Sequence, residues 1–167
     1  MNNYLQVTDY VGVSFWLVSV AMVAATVFFL YEGMHAKSSW RISLLVAGLV
    51  TLIAAIHYYY MREYWVNSGE SPIVYRYIDW LLTVPLQMIE FYLILVAAGL
   101  AVSVVVFWKL LIGTLVMLLG GYFGEIGTID ASFGFVIGMA GWIYIIFEIF
   151  RGESRIVASK SETVKGA

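Results

Sequence analysis

Five stretches of this chain are each apolar over about 20 residues, the length a helix needs to cross the hydrocarbon core of a bilayer. They run from about Val11 to Tyr31, Ile42 to Met61, Ile73 to Val96, Val105 to Phe123 and Ser132 to Phe150. Inside a bilayer every backbone polar group must be satisfied within its own segment, so such stretches are helices. The expectation is an all-α membrane protein with five transmembrane helices over residues 1–152. The polar remainder, 153–167, reads as a cytoplasmic loop or tail. The break between the third and fourth spans is itself apolar. It is placed near Gly99, because Lys109 belongs close to an interface.

Composition agrees with this and excludes several function classes. Only 12% of the residues are charged and 62% are hydrophobic, against about 25% charged in a soluble domain. A net charge of −2 without a basic cluster gives no reason to expect a nucleic-acid partner. The absence of cysteine removes disulfides, thiol catalysis and cysteine metal sites. MNNYLQVTDY lacks Lys and Arg, and the apolar run after it is long, so the first span is expected to be a mature helix rather than a signal peptide.

Positive charge sets the expected orientation. Lys37, Arg41, Lys109, Arg151, Arg155, Lys160 and Lys165, seven of the nine basic residues, fall on one side. That side is expected to be cytoplasmic, with the N-terminus outside. Trp40, Trp65 and Trp108 fall near helix ends, where indole rings favour the interface.

The third span carries the chemistry. It reads YRYIDWLLTVPLQMIEFYLIL from Tyr75 to Leu95 and holds Arg76, Asp79 and Glu90. Ionisable groups within a membrane helix are costly and mark function by default. Asp79 and Glu90 are eleven residues apart. At about 100° and 1.5 Å per residue they share a face to within roughly 20° and differ in depth by about 16 Å. Arg76 lies one turn outward of Asp79 and Thr83 one turn inward. Two carboxylates at different depths can each hold a proton. Their gap is too long for direct transfer, and no titratable group fills it, so a bound carrier is expected between them. The competing reading is an Arg76–Asp79 ion pair with a snorkelling Glu90. Pro85 should kink the helix, for packing or for function. His57 sits four residues from the expected end of the second span, at a depth like that of Asp79, so a contact that couples their titrations is expected. A histidine satisfied by a backbone or tyrosine partner is the alternative.

RYIDWLLTVP followed by EFYLIL resembles the third helix of the proteorhodopsins, bacterial seven-helix retinal proteins. DYVGVSFWLV, HYYYMR and KLLIGTLVMLLGGYFGE extend the resemblance through about Gly152. The resemblance implies a light-driven outward proton pump in the inner membrane, a transporter rather than an enzyme. Asp79 would be the proton acceptor and counterion of the retinal Schiff base, and Glu90 the cytoplasmic proton donor. Arg76 would stabilise the outer hydrogen-bond network, and His57 would tune Asp79. Trp80, Thr83 and Met117 would line the retinal pocket. Gln87 stands where the family carries Leu or Gln, and Gln goes with blue absorption. Phe135, Gly138 and Met139, on one face of the fifth helix, would also touch the ring.

The resemblance also implies two more helices. The family binds retinal to a lysine in its seventh helix, and Lys37, Lys109, Lys160 and Lys165 all fall in loops, near interfaces or in the tail. The sixth and seventh helices, with that lysine, are therefore expected partners of this chain. A homo-oligomer, with His57 facing a neighbouring subunit, is a further implication. A sensory photoreceptor of the same fold and a pigment-free membrane subunit are the alternatives. Glu90 favours the pump over the sensor, because reprotonation from the cytoplasm needs an inner carboxylate.

Overall fold

The structure is a computed structural model and describes residues 4–100 and 102–151. The expected tail, 153–167, with Arg155, Lys160 and Lys165, lies outside the described residues. Five helices follow in order: α1 (Tyr10–His35), α2 (Ser38–Ser68), α3 (Ile73–Ala97), α4 (Val104–Glu125) and α5 (Ala131–Arg151). All five are long and apolar enough to cross a membrane. Residues 1–83 and 84–167 form two compact units, with the boundary inside α3.

In the first unit α1 and α2 form a helical hairpin. The buried residues of α1 are Gly12, Ser19 and Thr26, spaced seven apart. That period keeps one narrow seam turned toward a partner helix, and small residues there let two backbones approach closely. α2 answers with Ala47, Gly48, Val50, Ala54 and Ala55. Two hydrogen bonds tie the seam together. Ser19 Oγ donates to the Ala55 carbonyl at 2.9 Å, and Thr26 and Thr51 share a 2.8 Å hydrogen bond. Asp9 closes the other end of α1: its carboxylate accepts from Gly12 N at 2.9 Å and from the Trp65 indole Nε1 at 3.0 Å.

α2 does not stop at Met61 as its hydropathy predicts. It continues seven residues to Ser68, because Arg62–Asn67 contain no helix breaker, and it ends at Gly69 in the left-handed conformation (φ 70°). His57 is therefore eleven residues from the helix end, not four.

In the second unit α4 and α5 pack closely. The buried residues of α5 include Gly134, Gly141 and Glu148, again spaced seven apart. A Cβ on Gly141 would lie 2.7 Å from the Met117 amide nitrogen and 2.8 Å from the Gly113 carbonyl oxygen, so here backbone packs on backbone. Val106, Leu110 and Ile145 form a core at one end of this seam, and Met88 and Phe91 of α3 pack against it. The break before α4 falls where expected, with Gly99 in the left-handed region (φ 82°). Asp130 caps α5 by accepting from Ser132 N and Phe133 N.

Candidate functional site

In the first unit, α3 buries Tyr77, Asp79 and Thr83 on one face. Asp79 is 3% exposed. Its Oδ1 has no hydrogen-bond donor, and His57 Nδ1 lies 3.6 Å from it. That distance is too long for a hydrogen bond, so the expected His57–Asp79 contact exists as an electrostatic one only. The histidine nitrogen is engaged elsewhere, 2.9 Å from the Ile53 carbonyl oxygen. A carbonyl only accepts, so Nδ1 carries the proton of that bond. Thr83 Oγ1 donates to the Asp79 main-chain oxygen at 2.9 Å. One oxygen of the Asp79 carboxylate, Oδ1, is thus held without a donor in buried surroundings, where an unmatched acceptor costs about 1–3 kcal/mol. It is an acceptor prepared for a cation or a proton.

Arg76 does not pair with Asp79. Its Nη2 donates to Ser71 Oγ at 3.2 Å, and its guanidinium lies 5.9 Å from the Trp80 ring. Trp80 meets Tyr77 edge-on with ring centroids 5.1 Å apart. Both aromatic contacts fix the Trp80 ring as a flat apolar wall.

In the second unit, Glu90 is half-buried and Gln87 is exposed, one turn before it on α3. Met117, Phe135, Gly138 and Met139, all expected to line one pocket, do come together. They border an apolar hollow of about 320 Å³ between α4 and α5. Gly121, Gly134 and Trp142 complete its wall, and sequence reasoning missed these three. The hollow is at the lower end of ligand-pocket volumes, about 300–1,000 Å³. Nothing polar in its lining would hold water, which suits a hydrocarbon ring. Gly134 and Gly138 make room for it by spacing four residues on one face of α5.

Sequence reasoning also missed Glu148. It is 4% exposed, and its Oε1 lies 3.5 Å from Lys109 Nζ. Among the described residues no cluster of His, Asp and Glu could hold a metal ion.

Residues 9–166 match the family model described as bacteriorhodopsin-like protein. The chain belongs to the bacteriorhodopsin-like family. Within that family it is 54% identical over 155 residues to a blue-light absorbing proteorhodopsin of Gamma-proteobacterium Hot 75m4, covering 93% of this chain and 61% of that one. It is also 54% identical over 151 residues to a green-light absorbing proteorhodopsin of Gamma-proteobacterium EBAC31A08, covering 90% and 60%. The crystal structure of a blue light-absorbing proteorhodopsin from Med12 superimposes with a TM-score of 0.79 at 56% identity, over 86% of this chain and 68% of that one. The chain therefore spans about six tenths of the length of the curated relatives it matches.

Proposed function

We propose that this chain supplies the first five helices of a retinal-binding, light-driven outward proton pump. The observation that carries the proposal is Asp79: a carboxylate buried to 3% exposure in a membrane helix, beside a histidine, with an oxygen that no donor satisfies. Asp79 is the acceptor of the transported proton. Glu90 lies eleven residues further along α3, about 16 Å deeper by helix rise, and is the donor from the cytoplasmic side. The residues fit retinal in kind: a buried carboxylate with one donor-free oxygen for a cationic nitrogen and an apolar hollow for a ring. When bound, retinal would supply light-driven isomerisation, and the Schiff base it forms with a lysine would supply the nitrogen that exchanges a proton.

The side chains have separate tasks. His57 biases the charge of Asp79 through its 3.6 Å contact. Thr83 fixes the backbone at Asp79, and Arg76 braces Trp80 from the outer side. In the first unit Trp80 and Thr83 would contact the chromophore, and in the second unit Met117, Phe135, Gly138 and Met139 would contact it. Gln87 places an amide dipole beside the chromophore and favours blue absorption. Identity does not settle colour, because the blue and green relatives are equally similar at 54%, so colour rests on Gln87.

The remaining helices of the longer protein provide the covalent attachment, and the whole is a multi-pass inner-membrane pump with its N-terminus outside. The experiment is light-induced acidification by cells making the full-length protein with retinal. A pump acidifies the medium until an uncoupler is added. A coloured protein that moves no protons would instead be a sensor, and a colourless one would be a pigment-free subunit.

A further inference from the structure

Asp79 and Glu148 are the only charged residues in the fully buried class among the described residues. The two sites are alike. Each carboxylate stands beside a basic side chain at more than hydrogen-bond length, His57 at 3.6 Å and Lys109 at 3.5 Å. Each also keeps one oxygen, Asp79 Oδ1 or Glu148 Oε1, without a hydrogen bond. Asp79 has a role in the proposed pump, and Glu148 has none.

Glu148 occupies an unexpected place. It is the third position of the Gly134–Gly141–Glu148 series that faces α4. The two glycines let the backbones touch, whereas the third position holds an ionisable side chain. A charged group at a seam between membrane helices is expensive and is kept where it is used. A buried pair is also a weak way to add stability, since desolvation offsets most of its attraction. As a plain staple, the Lys109–Glu148 pair would be poorly made.

Its depth is informative. Within the second unit, the end of α3, the start of α4 and the end of α5 lie on one side. Glu90 is seven residues from the end of α3, Lys109 five from the start of α4, and Glu148 three from the end of α5. At 1.5 Å per residue these are about 10, 8 and 5 Å from the helix ends. Glu148 is thus the shallowest of the three. It is also one turn from Ile145, and Lys109 adjoins Leu110, so both border the core on which Met88 and Phe91 pack. Glu90 lies between those two α3 residues. The charged side chain paired with Glu148 on α4 is Lys109, and exposed Arg151 follows three residues on in its own helix.

We propose that Glu148, with Lys109, is a proton-relay station between the membrane surface and Glu90; this rests on the pump reading above. A proton from surface water adds to the Glu148 carboxylate and cancels its attraction to the Lys109 ammonium. The carboxylic acid then gives the proton through water to the Glu90 carboxylate. Glu148 returns to the anion, and the pair with Lys109 forms again. One proton enters and one leaves the station per cycle.

The test uses the full-length pigment in lipid vesicles, flashed in the presence of a pH-indicator dye that reads both proton release and proton uptake. In E148Q, uptake slows by roughly a hundredfold, the low end of what a positioned proton-transfer group contributes, while release keeps its wild-type rate. E148D keeps the acid and restores uptake to within about tenfold. Should E148Q not assemble, K109Q leaves the carboxylate in place and also slows uptake. A merely structural pair would lower thermal stability in all three variants and leave uptake unchanged, and that result overturns the proposal. A wild-type pigment that never releases protons removes the pump reading and this one with it. Wild-type release combined with unaltered uptake in E148Q, or in K109Q if E148Q fails to assemble, removes the relay alone.

Discussion

Replacing Gly141 by alanine tests the backbone-to-backbone seam on which the second unit is built. The added methyl carbon would stand 2.7 Å from Met117 N, 2.8 Å from the Gly113 carbonyl oxygen and 3.0 Å from Met117 Cα. Ordinary contact begins near 3.4 Å, so the closest approach is short by 0.7 Å, and every atom it meets is backbone. No side-chain rotation relieves the clash; α4 and α5 must separate. Overpacking of this kind costs about 1–3 kcal/mol. Alanine returns about 1 kcal/mol by its better helix propensity, which leaves a net loss of up to about 2 kcal/mol. Gly33 is the internal control, because a Cβ there would meet only Leu44 Cβ at 3.7 Å. The assay is an SDS titration of the full-length protein, followed by helical circular dichroism. G141A should unfold at lower SDS than wild type, and G33A at the same or slightly higher SDS. Equal midpoints for the two variants would refute close contact between α4 and α5. Because Gly134 and Gly138 of the same helix line the apolar hollow, G141A should also shift the visible spectrum.

Four further outcomes follow from the same geometry. Thr114 is fully buried with an unsatisfied hydroxyl, so T114V should be neutral or stabilising by about 1 kcal/mol in the same titration; a loss would mean the hydroxyl has a partner. D9A removes both the α1 cap and the acceptor of the Trp65 indole and should cost about 0.5–2 kcal/mol, with Trp65 fluorescence shifting as the ring loses its anchor. S19A deletes one interhelical hydrogen bond in the α1–α2 seam and should cost about 0.6 kcal/mol, the mean for such bonds in membranes, read by the same midpoint. Q87L should move the absorption maximum to longer wavelength, and an unmoved spectrum would remove Gln87 from colour tuning.

The five helices were legible because bilayer thickness imposes a length on apolar text, and the breaks at Gly99 and before Ala131 follow the rule. The end of α2 was not legible. Hydropathy falls after Met61, yet helix formation needs no apolar residue, and only Gly69 stops it. That difference put His57 at the wrong distance from its helix end, although its nearness to Asp79 stands. The geometry of that contact was beyond sequence reasoning, because competition from the Ile53 carbonyl decides which hydrogen bond Nδ1 makes. Phe135, Gly138 and Met139 share a readable face of α5, whereas Met117, on α4, was implied only by the family resemblance; the four border one hollow. Glu148 was missed for a physical reason. A carboxylate near a helix end ordinarily reads as one that snorkels to the interface, and only its seven-residue spacing from Gly141 and Gly134 marks it as facing α4.

Under the proposed function the Asp79 carboxylate receives the transported proton. Light-minus-dark infrared spectroscopy of the full-length pigment reads this directly, through the carbonyl stretch of a protonated carboxylic acid. A band should rise as the chromophore loses its proton and be missing in D79N. The same band in D79N, or no carboxylic acid band in wild type, would contradict this role.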